Sequence, residues 1–237
     1  MNTATPYLTK SRYIDALRCE KKLWLGWHER LPYEEALPYS ILDTGNRIGR
    51  GAWALFPGGV EVTEKPYEHA AAVARTASLM AGDVPAIFEA AFEYDKVRIR
   101  VDVLERLGDG WGLREVKSST SASEDKGHVD DVAVQLYVLQ GAGVDITSVE
   151  LIHVNNQYVF DGGDIAWPEM LLRADLTLEA RDRLPQVAAH LPEFFTVLGR
   201  DSAPEVYATK TLCSKPWRCD YFDSCMAAKP EDWVGLL

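Results

Sequence analysis

Residues 97–117 read Val97-Arg98-Ile99-Arg100-Val101-Asp102-Val103-Leu104-Glu105-Arg106-Leu107-Gly108-Asp109-Gly110-Trp111-Gly112-Leu113-Arg114-Glu115-Val116-Lys117. Val97, Ile99, Val101 and Val103 alternate with Arg98, Arg100 and Asp102, the period of a half-buried strand. Asp102 therefore points away from the valine face. Beyond the Gly-Asp-Gly turn, Glu115 and Lys117 lie two residues apart, so a second strand puts both on one face and Val116 on the other. A hairpin across residues 105–110 sets Asp102 roughly opposite residues 113–115. Two carboxylates and one ammonium then converge.

Such a convergence suits Mg2+ or Mn2+, which take oxygen ligands, and a phosphodiester hydrolase uses such a metal to activate water and neutralise phosphate charge. Lys117 is placed to orient the water or stabilise the transition state. An ordinary hairpin carrying a solvated salt bridge fits the same residues.

The bulk of the chain bounds the answer. Its 237 residues, 47% hydrophobic and 26% charged, describe a soluble globular protein able to bury a good core, most simply as one domain. No run of about 18 apolar residues occurs, and the opening Met-Asn-Thr-Ala-Thr-Pro-Tyr lacks the basic and apolar regions of a signal peptide. A cytoplasmic protein is expected. The net charge of -11 argues against a broadly basic nucleic-acid coat. Residues 1–60 nevertheless carry eight basic against six acidic side chains, so this part is +2 and the remainder -13. A polyanion is expected to meet the N-terminal third.

Outward from the hairpin, the reading is a succession of helices and strands. Residues 9–27 are expected to form one helix, capped by Thr9 or Ser11, with Tyr13, Leu17 and Trp24 as apolar contacts and Cys19 as a small buried hydrophobe. Residues 31–40 form a loop, after which Asp43 caps a helix through Gly45, Ile48, Gly49, Ala52 and Leu55. Gly45, Gly49 and Ala52 suggest close approach of the backbone, to another element or to a phosphate. A short strand at 60–63, a helix at 66–80 opened by Pro66 and a strand at 86–94 follow. Glu89 lies inside that apolar strand and needs a partner: a metal beside Asp102, or water at a sheet edge.

After Lys117 comes a polar loop, 118–123, that either connects or gates. Val129, Val132, Ala133, Leu136 and Leu139 then form a helical stripe, with Gln135 and Tyr137 on its other flanks, and Gly141 and Gly143 stop it. A strand at 149–154 holds His153, read as structural, and 158–160 form a possible strand. Residues 168–198 read as helical, interrupted at Pro185 and Pro192.

Cys213, Cys219 and Cys225 stand in a C-x5-C-x5-C array, and Cys19 completes the chain's four cysteines. Disulfides do not suit a cytoplasmic chain. Zinc sites generally use C-x2-4-C pairs, which are absent, whereas one distant and three clustered thiolates suit a [4Fe-4S] cubane. Iron-sulfur, zinc and a metal-free cluster of thiols are the three alternatives. A cluster tying residue 19 to residue 213 closes a separation of 194 residues, worth on the order of 5 kcal/mol if the disulfide relation is borrowed. It would act as a staple.

In this combination the chain resembles the RecB-like PD-(D/E)xK nucleases of the iron-sulfur branch, which includes CRISPR-associated exonucleases and AddB-type nuclease domains. The resemblance spans about residues 7–226. It rests on Asp102 in an apolar strand, Glu115-Val116-Lys117 as the E-x-K motif, Gln135 on the next helix, and Leu17-Arg18-Cys19 with three late cysteines. Three features depart from the pattern. Tyr137 follows Gln135 by two positions and Leu139 stands where Q-x-x-x-Y would put tyrosine; Gly45 is followed by Gly49 where G-x-x-x-H would put a ligand; and the cysteine spacing differs from C-x2-C-x5-C. Longer relatives of this kind leave open whether the chain is a fragment or a compact stand-alone form.

The resemblance implies an α/β restriction-endonuclease-like core, at about 40–165, with a central mixed sheet flanked by helices. Residues of about 7–30 and 200–228 would form a helical region stapled by a [4Fe-4S] cluster on Cys19, Cys213, Cys219 and Cys225. It implies a DNA nuclease, expected to be an exonuclease on single strands or exposed ends. Asp102, Glu115, the Val116 carbonyl and Glu89 would hold Mg2+ or Mn2+. Lys117 would position the attacking water, and Gln135 would orient Lys117 or a phosphate. Arg12, Arg18, Lys21 and Lys22 would line a strand path, with Trp24 or Trp27 stacking on a base. The implied partners are DNA and the proteins of CRISPR adaptation or DNA repair, with no membrane. A non-catalytic DNA-binding or assembly module and a zinc-stapled structural protein are the rival readings.

Overall fold

The computed structural model describes residues 5–31, 37–38, 40–122, 127–207, 209–214 and 218–228. Parts of the expected loops at 31–40 and 118–123, and the final residues 229–237, lie outside them. The chain packs as two compact units, residues 1–32 with 189–237 and residues 33–188.

In the first unit, a short strand β1 (Leu8–Thr9) leads into α1 (Lys10–Arg18), where Thr9 Oγ1 accepts the Arg12 N–H as cap. The single helix expected over 9–27 is two helices, because Cys19 adopts an extended conformation (φ -163°, ψ 118°) before α2 (Glu20–His28). The Cys19 N–H still closes α1 on Asp15 O at 2.9 Å, and Leu23 N–H bonds Cys19 O at 3.1 Å, so the break leaves both helix ends bonded. Tyr13, Leu23, Leu25 and Trp27 are buried.

The second unit is an α/β sandwich. It begins with α3 (Ile41–Ala52), capped by the Ser40 hydroxyl, which accepts the Asp43 N–H at 3.1 Å. Asp43 is therefore the acid of the first turn and not the cap. Strand β2 (Val60–Glu61) and, after a 3-10 turn at Pro66–Glu68, helix α4 (His69–Met80) follow. Then come β3 (Ala86–Tyr94), β4 (Val97–Leu107), β5 (Gly110–Lys117), α5 (His128–Gly141), β6 (Ile146–Val154), the single turn α6 (Trp167–Met170) and β7 (Leu171–Asp175). The sheet order is β2-β3-β4-β5-β6-β7. Strands β2 and β3 and strands β5 and β6 are parallel, the other neighbours antiparallel, so the sheet is mixed.

Two tight turns set the register. Tyr94 pairs with Val97 across Asp95 (φ +49°) and Lys96 (φ +60°), the double left-handed geometry of a type I′ hairpin. Leu107 pairs with Gly110 across Gly108 (φ +58°) and Asp109, so the hairpin turns within 108–109 and its strands run longer than the expected 105–110 connection.

Alternation on these strands fills two opposite layers. Val103, Phe88, Ile152 and Leu171 meet Ile48 and Ala52 of α3, with Val116 packed beside them. Glu115, one residue away on β5, turns to the other face and reaches Gln135 of α5. Helix α5 is apolar nearly all round, with Val132, Ala133, Val134, Leu136, Val138 and Leu139 fully buried. Each such Leu or Val contributes about 1.5–3 kcal/mol of transfer free energy.

Several expectations need correction. Gly45 and Gly49 have nothing within 4 Å of an added Cβ, whereas a Cβ on Gly51 would run into the Trp167 ring. The close approach is thus at Gly51 and the buried Ala52. Residues 158–160 form no strand, and Val159 and Phe160 are exposed. The helical stretch expected over 168–198 contains strand β7, and helix α7 (Thr177–Leu198) continues through Pro185 and Pro192. The last described elements are α8 (Lys210–Ser214) and α9 (Phe222–Ala227). Among the described residues, no helix is long and apolar enough to cross a membrane.

Candidate functional site

The carboxylates of the hairpin meet where two strands part. The β4–β5 ladder runs from Leu107↔Gly110 to Val103↔Arg114 and stops one residue short of Asp102, while β5 stays paired with β6 as far as Lys117↔His153. At the split the Val116 N–H finds no carbonyl from β4; Asp102 Oδ2 accepts it instead, at 2.7 Å. That bond holds the Asp102 carboxylate against the Glu115-Val116 backbone. Buried N–H groups need a partner, and the Asp102 carboxylate supplies one where the β4–β5 ladder has ended.

Glu115 is 1% exposed. A carboxylate so buried requires compensation, and two groups supply it: Lys117 Nζ lies 2.6 Å from Oε1, and Gln135 Nε2 donates to Oε2 at 2.8 Å. Lys117 Nζ is shared with Asp131 Oδ2. The Gln135 amide also donates to the Asp131 carbonyl at 3.1 Å, while its own Oε1 is buried with no hydrogen-bond partner. Asp131 and Gln135 occupy one face of α5, four residues apart. The structure therefore brings Glu115, Lys117 and Gln135 together as expected, with Gln135 bonded to Glu115 instead of Lys117. It adds Asp131, whose only sequence signal was that i, i+4 spacing to Gln135 in the helix after the polar loop.

Glu89 lies across from Asp102 by register, since Phe88 pairs with Val103 and Ala90 with Val101. Its φ of +55° is a strained value for a non-glycine residue inside a strand. Arg100 binds the Glu89 carbonyl at 3.2 Å and the Glu64 carbonyl at 2.7 Å, which helps keep that conformation. Tyr137 points elsewhere: its hydroxyl donates to Asp95 at 3.1 Å in the β3–β4 turn, and burial together with Asp95 pushes its pKa up to about 12. His153 is half-buried, its Nδ1 3.2 Å from its neighbour's carbonyl at Val154.

The opposite face of β5 holds a second ionic group that the sequence reading passed over. Arg114, 1% exposed, donates from Nε to Glu105 at 2.7 Å and lies 3.4 Å from Glu150. Arg173 of β7 pairs with the same two carboxylates. This quartet ties β4, β5, β6 and β7 together.

In the first unit all four cysteines line one pocket, with Leu25, Leu212, Tyr207, Tyr221 and Phe222 around them. The extended break places Cys19 at the start of α2; Cys219 N–H bonds Cys213 O at 2.8 Å. Burial pushes the Cys19 thiol up, opposed by the Lys22 and Lys21 backbone N–H groups, and nearby Cys213 and Cys219 raise it further. Burial likewise raises Cys225. A low-polarity pocket that collects four soft donors fits a thiolate-bound metal group, which would hold its ligands deprotonated. Among the described residues, no three His, Cys, Asp or Glu side chains are grouped so as to hold a metal ion outright.

The four expected DNA-contacting cations are engaged within this unit. Arg12 stands 4.9 Å from the Trp27 ring centre, Arg18 Nε donates to Leu212 O at 3.0 Å, Lys21 sits 5.1 Å from the Tyr207 ring, and Lys22 pairs with Asp15 at 2.6 Å. Trp24 and Trp27 are buried at 7% and 2% exposure, so neither presents a ring for a base. Trp24 instead stacks on His28 and donates to Arg200 O at 2.9 Å.

No family model matches the chain, and no curated protein does.

Proposed function

We propose that the chain is a metal-dependent deoxyribonuclease of the PD-(D/E)xK type that carries a structural [4Fe-4S] cluster on Cys19, Cys213, Cys219 and Cys225. The observation that carries this reading is the split between β4 and β5, where Asp102 and the buried Glu115 flank the Val116 backbone and Lys117 and Gln135 close on Glu115.

Asp102, Glu115 and the Val116 carbonyl would hold Mg2+ or Mn2+, with Glu89 across the strand as a further candidate. Asp102 and Glu115 are the oxygen donors that such an ion takes, and the orphaned Oε1 belongs to the side chain that already holds Glu115. The metal supplies Lewis-acid stabilisation of the phosphate and lowers the pKa of bound water. The chain's own residues do the rest. Gln135 fixes the Glu115 carboxylate in one orientation through its amide. Lys117, half out of the protein, presents an ammonium where a phosphate oxygen and an attacking water would meet, offsetting the charge that develops as water adds and the P–O bond breaks.

The test is degradation of an oligonucleotide labelled at either end, with Mn2+, by the parent, Asp102→Ala and Lys117→Ala. The expected outcome is cleavage by the parent and a loss of about a hundredfold or more in each variant. A parent that leaves DNA intact, or variants that cut equally well, overturns the reading. The end that shortens first gives the polarity.

A further inference from the structure

Asp131 holds two of the site's side chains at once. Its carboxylate shares the Lys117 ammonium with Glu115, and its backbone carbonyl accepts the Gln135 amide. It is buried in the first turn of α5 at 8% exposure, and the adjacent Asp130 is fastened to Arg183 at 2.6 Å.

The consequence lies in what happens to Lys117 once Glu115 is engaged elsewhere. A cation that Glu115 binds competes with the Lys117 ammonium for the carboxylate, whose Oε1 now lies 2.6 Å from Nζ and whose Oε2 already accepts from Gln135. A lysine ammonium rides a flexible four-carbon stem and is strongly hydrated, and a buried carboxylate beside it opposes its movement toward solvent. We propose that Asp131 is a positioning residue that keeps the Lys117 ammonium in the site when Glu115 is given over to the metal. This rests on the nuclease reading of the site. It assigns Asp131 no contact with substrate. Glu115 and Asp131 thus divide the work: one carboxylate serves the metal, the other serves the lysine.

Two measurements test this, and they separate its failure from that of the nuclease reading. The first is the acylation rate of Lys117 by an N-hydroxysuccinimide ester, followed by peptide mass spectrometry without metal or DNA. Glu115→Gln mimics withdrawal of the Glu115 charge. Lys117 in Glu115→Gln is expected to react within about threefold of the parent, and in Glu115→Gln/Asp131→Asn at least about tenfold faster, a coupling between neighbours. A Glu115→Gln protein as reactive as the double variant overturns the proposal. The second is cleavage kinetics in Mn2+ with Mn2+ affinity from electron paramagnetic resonance. Asp131→Asn is expected to lower kcat by about tenfold to a hundredfold, with KM and Mn2+ affinity within about twofold, and Asp131→Glu to recover most of the rate. An unchanged kcat, or a parallel loss of Mn2+ affinity that makes Asp131 a ligand, overturns it. If the parent cuts no DNA, the nuclease reading fails and the acylation rates alone decide the role of Asp131.

Discussion

Gly45 and Gly51 lie on one helix and should respond oppositely to the same methyl group. An added Cβ at Gly45 meets nothing within 4 Å, so alanine there removes backbone entropy from the unfolded chain and raises stability by about 0.5–1 kcal/mol. At Gly51 the added Cβ would run into the Trp167 ring, and overpacking costs about 1–3 kcal/mol. Urea denaturation of the two variants checks both signs; equal midpoints would show that α3 does not pack on Trp167 as described. The sequence pointed to small residues on this helix but not to which one is crowded, because a glycine's partner comes from a turn more than a hundred residues away. The site residues divide in the same manner. Asp102, Glu115 and Lys117 were legible because strand alternation assigns faces residue by residue. Asp131 was not, since an acid in the first turn of a helix is ordinary N-terminal chemistry, and its pairing with Lys117 depends on how α5 lies over β5. The left-handed Glu89 was equally silent, as nothing in the apolar run Ala86-Ile87-Phe88-Glu89-Ala90 marks a positive φ.

At the scale of elements, the ionic quartet binding four strands predicts an acid-labile sheet. Burial alone would raise the Glu105 carboxyl, but the hydrogen bonds and charges of Arg173 and Arg114 outweigh it and hold the pKa below the usual value. A carboxyl depressed in the folded state adds stability that is present above its unfolded pKa of about 4.3 and is lost as pH falls through the lower folded value. Glu105→Gln should therefore melt below the parent at neutral pH, and the gap should close under acid conditions as the parent's own carboxyl protonates. A gap that is constant with pH would assign the loss to packing instead of charge. These same strands show where element reading succeeds. The run 86–94 and the hairpin strands were legible from period-two alternation, and α5 from its apolar stripe. Strand β7 was not: Leu171-Leu-Arg-Ala-Asp175 has one buried side chain, at Leu171, on an edge and gains its definition from pairing with β6 and from Arg173 reaching Glu105 and Glu150. Pro185 and Pro192 misled in the opposite direction, since a missing N–H and a local clash are tolerated where the helix buries Val187, Leu191 and Phe194.

Over the whole molecule, the question is what holds residue 19 to the last quarter of the chain. Polar contacts already do some of it: hydrogen bonds from Arg18 to the Leu212 carbonyl and from Tyr221 to the Glu29 carbonyl at 3.4 Å, and an ion pair of Lys22 with Asp220. Each is worth about 0.5–1.5 kcal/mol at most, little against the entropy of closing a loop of this length. The sequence made the connection legible only through its cysteine count, and the helix break that delivers Cys19 to the pocket was invisible, because residues 9–27 carry one unbroken helical pattern. The proposed cluster would add a covalent tie to these weak ones. Cys19→Ala should then lose bound iron and thermal stability together, by a margin approaching the roughly 5 kcal/mol of loop-closure entropy. Cys225→Ala should behave alike if it is a ligand of the same group, whereas Cys→Ala at a merely buried thiol would cost only the small cavity. Iron and sulfide analysis of anaerobically purified protein, read with melting of the parent and both variants, decides the matter. Zinc in place of iron leaves the staple and changes its metal; variants that have lost their metal yet melt with the parent remove the staple altogether, and leave these polar contacts and the packing of Tyr13 on Phe194 to join the two segments.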